Sequence, residues 1–254
     1  MNHQEEFESE KQARIEAYAN HVEMRRSSMD WFTVSLARKY SYNFTWLGRP
    51  IIQYPQDMVA LQEIIWRVQP DLIIETGIAH GGSLIFSASM LALLDLNEGA
   101  PGGTVSVRRL VLGLDIDIRA HNHAAIHAHP LSSKIKMIQG SSVDPEVIAQ
   151  VRVVAQGKSR ILLCLDSNHS QEHVKKELEA YAPLVSPGSY CIVYDTYIED
   201  MPAGYVFEKS WGHGNNPRNA VESFLKEHGE FSVDHSIHNK LQLTVAPHGY
   251  LKRL

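Results

Sequence analysis

Between Asp71 and Leu84 the chain reads DLIIETGIAHGGSL, and this stretch limits the fold more than any other. Leu72, Ile73 and Ile74 form the unbroken apolar run of a parallel strand buried on both faces, because a strand with one wet face would alternate. Gly77, Gly81 and Gly82 allow a tight turn and a close approach of backbone N–H groups to a ligand, and Ser83 is placed to cap a following helix. A strand, a glycine-bearing loop and a helix in that order build the ligand crevice at the carboxyl edge of an open α/β sheet. GIAHGG lacks the spacing of the dinucleotide fingerprint and has no Lys-Ser/Thr pair of a P-loop, so neither of those phosphate sites is expected. A tight strand-to-helix turn that holds no ligand is the alternative reading of the loop by itself.

Short apolar runs and helical patterns keep alternating along the chain. Strands are expected in LVLGLDID, KIKMIQG, SRILLCLD and SYCIVYDT, and helices in DMVALQEIIWRVQP, LIFSASMLALLDL, EVIAQVRVV and SQEHVKKELEAYAPLV. That order predicts an α/β fold with a doubly wound, mostly parallel sheet. Ser142 or Asp144 caps the helix that begins at Pro145, and Asn216 and Pro217 open another that Gly229 closes. NEGAPGGTVSVRR is a turn-rich connection, and residues 197–216 read as a loop or lid. FSVDHSIHNKLQLTVAPHGYLKRL offers two last strands, with DHSIHNK as a hairpin turn region between them. Residues 4–40 contain neither Pro nor Gly and predict helix, sparse in apolar positions up to Val22 and then dense at Trp31, Phe32, Val34, Leu36 and Tyr40. Such a face docks on the main domain or on a second subunit. The chain therefore divides into a helical arm over 1–44, expected to serve homo-oligomerisation, and a ligand-binding domain over 45–254.

Composition excludes several partners. A net charge of −5, with Lys and Arg scattered along 254 residues, leaves no basic footprint for nucleic acid. The charged opening MNHQEEFESEKQARIEAY is no signal peptide, and no apolar run approaches the length of a membrane span, so no membrane partner is expected. Cys164 and Cys191 both lie inside apolar runs as reduced core thiols, and a cytoplasmic location follows as the default.

Candidate chemistry gathers at strand ends. Asp115 closes LVLGLD, where an acid accepts hydrogen bonds from ribose hydroxyls, and Gly140 to Ser142 would face the adenine side of a nucleotide-like ligand. Asp166 in LCLDSNH and Asp195 in IVYDT end two further strands at the same sheet edge, and two such carboxylates can hold a divalent cation that keeps water or substrate oxygens as other ligands. His169, three residues on, can reach that place and take a proton from a hydroxyl at neutral pH. The plainer alternative is that both acids cap helices and His169 is a surface residue. In HNHAAIHAHP, His123 and His127 share a face if helical, a zinc-like spacing, but no Glu or Cys completes the pattern and a solvated face is preferred.

WLGRPIIQYPQD, ETGIAHGGSL, LGLDID, QGSS, LDSNH and VYDT, taken in this order and spacing, resemble the cephalosporin hydroxylase family, whose members are similar to sugar and macrolide O-methyltransferases. The resemblance spans Trp46 to about Thr196. It implies a class I methyltransferase fold in which Glu75, Gly77, Gly81, Ser83 and Asp115 hold S-adenosylmethionine; Ser142, from its place in the loop, and Asp166 are expected as further cofactor contacts. It also implies magnesium at Asp166 and Asp195, with His169 as general base. The family's usual Glu-Asp pair is here Tyr194-Asp195, so one metal ligand is missing, and a phenol that is neutral at pH 7 does not replace it. A weak magnesium site that fills mainly with acceptor present is expected, and Glu199 or Asp200 would have to fold back to strengthen it. The function so implied is methyl transfer to a hydroxyl of a small-molecule acceptor of sugar-bearing or polyketide type. A hydroxylase, or a binding partner that keeps the pocket without turnover, are the alternatives.

Overall fold

The computed structural model describes residues 2–99, 108–202, 205 and 210–254. In chain order its elements begin with α1 (His3–Tyr18), α2 (Val22–Ala37), β1 (Phe44–Trp46), β2 (Arg49–Ile51), α3 (Pro55–Val68), β3 (Leu72–Thr76) and α4 (Gly82–Asn97). Next come β4 (Leu110–Asp115), α5 (Ala120–His127), β5 (Ile135–Gln139), α6 (Pro145–Ala155), β6 (Ile161–Leu165), α7 (Gln171–Tyr181) and β7 (Tyr190–Val193). Last are α8 (Pro217–Leu225), β8 (Phe231–Val233), α9 (His235–Leu241) and β9 (Tyr250–Arg253).

The strands form a seven-stranded sheet in the order β5-β4-β3-β6-β7-β9-β8, parallel except that β9 runs against both its neighbours. All five residues of β3 and of β6 are buried, which is why β6 is an unbroken apolar run and β3 opens with one, Leu72 to Ile74, rather than alternating. One side of the sheet is covered by α3 and α4, through residues such as Ile64 and Leu91, and the other by α6, α7 and α8, through Val151, Leu178 and Phe224. From β3 the chain steps outward through β4 to β5, then returns to place β6 on the other flank of β3. Loops leaving β3 and β6 therefore depart in opposite directions, and a crevice opens between them at the strands' carboxyl ends.

Several local expectations change. DHSIHNK is not a hairpin turn but forms α9, because Ile237 and Leu241, four residues apart, both pack on the core and Asp234 accepts a hydrogen bond from Ser236 N at its start. Residues 44–51, whose sequence shows no strand period, make a two-stranded hairpin in which Phe44 faces Ile51. Ser83 does not cap α4; Gly81, at φ 81°, occupies that position. Asp144, not Ser142, caps α6, and α8 ends at Leu225, short of Gly229. Residues 100–107 of the expected turn-rich connection, and 203–204 and 206–209 of the expected lid, lie outside the described residues.

The N-terminal helices are packed on their own chain. Ile15 is buried where α1 meets α9, and the buried Phe32 ring of α2 lies 5.2 Å from Tyr54 and 5.0 Å from Tyr197. Phe7, Val22, Trp31 and Val34 stay exposed. Among the described residues no helix is long and apolar enough to cross a membrane.

Asp57, in the first turn of α3, fixes the C-terminal segment to the domain. It is buried and accepts hydrogen bonds from Thr244 Oγ1, Val245 N (3.0 Å) and Tyr250 Oη (2.8 Å). Burial outweighs these bonds and pushes its pKa from 3.8 up to about 6. A carboxyl whose folded pKa is raised gives its stabilisation below the unfolded value and loses it as pH rises through the folded one. Between pH 4 and pH 7 the wild type should therefore lose about 2 kcal/mol of unfolding free energy that Asp57→Asn does not lose. Denaturant titrations at the two pH values check this, and parallel pH profiles for the two proteins would contradict it.

Candidate active site

The loop that follows β3 is fixed by side chains from three other elements. Asp115, at the end of β4, accepts hydrogen bonds through Oδ2 from Ile78 N (2.8 Å) and Ala79 N (3.3 Å) and through Oδ1 from Asp117 N (3.0 Å). Arg49 of β2 donates to the carbonyl of His80 from Nε (3.0 Å) and Nη2 (2.6 Å). Asn122 of α5 donates to the carbonyl of Ala79 at 2.8 Å and accepts from Arg49 at 3.0 Å. Gly77, at φ 90°, is required by packing as well as by the turn: a Cβ there would sit 2.1 Å from the carbonyl oxygen of Asp166. The loop after β3 and the acid after β6 are thus in direct backbone contact.

Above them lies a cavity of about 610 Å³, within the range of small-molecule sites. Gly77, Ser83, Asp115, Asp166, His169 and Asp195 line it. Glu75, Gly81 and Ser142 do not. Glu75 is buried beneath the loop, where it accepts a hydrogen bond from Ser83 Oγ and burial pushes its pKa up to about 7. Gly81 is pressed against Ile126. Ser142 is buried in the β5–α6 connection, its Oγ 3.0 Å from His173 Nε2 and its carbonyl bonded by Tyr181.

Asp166, His169 and Asp195 meet at the mouth of the crevice, with one ligand-capable atom from each inside a 4.8 Å span. His169 Nε2 is 3.0 Å from Asp195 Oδ2, and the Trp211 ring stands edge-on to the imidazole at 5.0 Å. Neither carboxylate caps a helix: the turn after Asp195 and α7 both begin without a side-chain cap. Asp195 is held at φ 57°, in the left-handed region that aspartate adopts more readily than most residues with a side chain. Burial, the Asp195 carboxylate and Glu75 all push the Asp166 pKa well up; burial raises that of Asp195 too, while His169 opposes it. Two crowded carboxylates with one imidazole suit a hard divalent cation, which would relieve the repulsion and keep water among its ligands. Asp166 and Asp195 would hold it.

Tyr194 adds no charge to this cluster: its phenol is buried, which pushes its pKa up, and it faces a small interior void lined also by Glu75, Cys164 and Asp166. Glu199 and Asp200 do not fold back in its place: Glu199 accepts from Gly214 N (2.9 Å) and Asn216 Nδ2, and Asp200 pairs with Arg218 at 3.6 Å. His123 and His127 stack at 6.2 Å on the exposed face of α5, and no second group of three metal-capable side chains occurs among the described residues.

Sequence reasoning did not single out Gln53, which donates from Nε2 to Asp166 Oδ2 at 3.1 Å, or Lys39, Tyr42, His80 and Tyr197, which also line the cavity. The nearest signal was the mixture of aromatic and polar residues over 41–57, which has no period and so no predicted direction.

The sequence model of the family described as Rhamnosyl O-methyltransferase/CmcI matches residues 38–254. Rhamnosyl O-methyltransferase of Mycobacterium tuberculosis (strain H37Rv) is 29% identical over 211 residues, covering 82% of this chain and 78% of that protein. The enzyme of the same name from Mycobacterium leprae is 28% identical over 211 residues, covering 82% of each. In fold, the chain is similar to a CmcI structure with Mg-SAM (TM-score 0.56, 16% identity, 84% of this chain and 77% of that one). It is likewise similar to an apo-structure of CmcI (TM-score 0.53, 20% identity, 84% and 77%). A match that runs from the end of α2 through every strand of the sheet makes this chain a member of the rhamnosyl O-methyltransferase/CmcI family.

Proposed function

We propose that this protein is an S-adenosylmethionine-dependent O-methyltransferase acting on a hydroxyl of a small, sugar-bearing or polyketide-type acceptor. The observation that carries this reading is one cavity that joins the loop after β3 to Asp115 on one side and to Asp166, His169 and Asp195 on the other. Relatives named rhamnosyl O-methyltransferase support the choice of a sugar hydroxyl. When bound, S-adenosylmethionine supplies an electrophilic methyl group, and magnesium supplies positive charge that favours the alkoxide. The chain's own part is to hold the hydroxyl in near-attack geometry and remove its proton. With Nε2–H of His169 donated to Asp195, Nδ1 is the nitrogen left to take that proton, and the Asp195 carboxylate stabilises the imidazolium formed. Gly77, Ser83 and Asp115 would hold the cofactor at the cavity's other end, with Glu75 acting through Ser83.

A hydroxylase that activates oxygen at iron would call for two histidines and one carboxylate, whereas this cluster holds one histidine and two carboxylates. The chemistry of the donor set therefore favours methyl transfer. In calorimetry, wild-type chain should bind S-adenosylmethionine and S-adenosylhomocysteine, and Asp115→Ala should weaken both by roughly tenfold to a hundredfold through the loss of a charged hydrogen-bond acceptor. His169→Ala should keep cofactor affinity and lose transfer by roughly a hundredfold or more. Absence of cofactor binding by the wild type would end the methyltransferase reading.

The reading extends to assembly and location. The buried, reduced Cys164 and Cys191 suit the cytoplasm. Within the 1–44 arm, Val22 and Val34 remain exposed after α2 has docked on its own domain, and such apolar surface is covered by a second copy of the chain. Val22→Asp combined with Val34→Asp should lower the mass found by light scattering without changing the circular dichroism spectrum. An unchanged mass would remove the arm from any oligomer contact.

A further inference from the structure

Gln53 sits between β2 and α3, where its Nε2 lies 3.1 Å from Asp166 Oδ2, while its Oε1 is buried with no hydrogen-bond donor among the described residues. A buried amide oxygen left unsatisfied beside a pair of carboxylates is unusual, since buried polar atoms nearly always find partners. We infer that Gln53 is a ligand arm of the cation site, turning its amide by a half rotation so that Oε1, in place of Nε2, shares the cation with Asp166. The inference rests on the reading of Asp166 and Asp195 as a divalent-cation site.

Three features of the geometry point this way. First, magnesium–oxygen bonds of about 2.0–2.1 Å put adjacent corners of an octahedron roughly 3 Å apart, and the amide already stands 3.1 Å from Asp166 Oδ2. Second, the half rotation exchanges atoms of nearly equal size, so it needs no movement of backbone or neighbours. Third, Gln53 also lines the interior void beneath the loop, together with Asp57, Glu75 and Cys164. The Asp57, Glu75 and Asp166 carboxyl groups and the Ser83 and Tyr194 hydroxyls line that void, and their oxygens can accept from the turned NH₂. Gln53 would add a ligand to the site without adding a third negative charge to two carboxylates that already repel each other. Glu199 and Asp200 supply no such oxygen, because each is engaged elsewhere, and the Tyr194 phenol is neutral at pH 7.

The test is Mn²⁺ binding to the full chain, followed by electron paramagnetic resonance, with S-adenosylmethionine binding measured separately by calorimetry. Gln53→Leu should bind Mn²⁺ roughly tenfold more weakly than wild type, and Gln53→Glu at least roughly tenfold more tightly, with cofactor affinity unchanged in both. A glutamine that only steadied Asp166 would lose its hydrogen bond in the Glu variant and bind Mn²⁺ no more tightly. Equal Mn²⁺ affinity in wild type and Gln53→Leu, or no Mn²⁺ binding by wild type, overturns the inference. Should Gln53→Leu fail to fold, Gln53→Glu decides alone: tighter binding supports the ligand role and unchanged binding overturns it. Loss of S-adenosylmethionine binding by the wild type would instead strike the functional reading, and the Mn²⁺ series would still judge Gln53.

Discussion

The backbone contact between Gly77 and Asp166 is the constraint on which the site depends. No side chain fits between them, since a Cβ on residue 77 would lie 2.1 Å from the Asp166 carbonyl oxygen, and Asp166 N donates to the carbonyl of Thr76 at 3.0 Å. β3 and β6 are therefore zipped to their last residues before the chain leaves each of them in an opposite direction. The loop proposed to bear the cofactor and the acid proposed to bear the cation are set by one hydrogen-bonded register, not by two flexible loops meeting. Arg49, Asn122 and Asp115 then fix the far side of the loop from β2, α5 and β4. A reaction that needs donor and acceptor aligned within fractions of an ångström gains directly from such rigidity.

Charge is placed against stability in the same region. Asp57, Glu75, Asp166 and Asp195 lie at or beneath the crevice, and burial raises the pKa of each, so all four are held where the ionised form is disfavoured. Fold stability alone would not select this crowding, which is the kind of local conflict tolerated where a site requires it. Glu75 and Asp57 are satisfied by hydroxyl and amide donors from Ser83, Thr244, Val245 and Tyr250. Among the described residues the Asp166 carboxylate receives only the Gln53 amide, beside neighbouring acids that push its pKa up, which is why it is the group most in need of a cation.

The sheet was legible because burial on both faces writes itself as an unbroken apolar run, as in LII of β3 and ILLCL of β6, and because strand ends carry their acids outward to one edge. Asp115, Asp166, His169 and Asp195 were all reachable by that reasoning. Glu75 and Ser142 were placed at the ligand by resemblance and by loop position, but each points into the protein, a direction that sequence does not encode for single polar residues. The Tyr194 phenol follows the same rule: alternation along β7 turns it inward while Asp195 turns to the crevice. α9 was missed because DHSIHNK is polar and its two inward residues are too few for a period, and Gln53 because it lies in a segment without period at all.

The most direct measurement is a crystal structure of the chain grown with S-adenosylhomocysteine. The account predicts the ligand in the cavity above Gly77, its ribose within hydrogen-bonding distance of Asp115 and its sulfur directed toward His169. A ligand bound elsewhere, or a cavity that stays empty at saturating concentration, would contradict it.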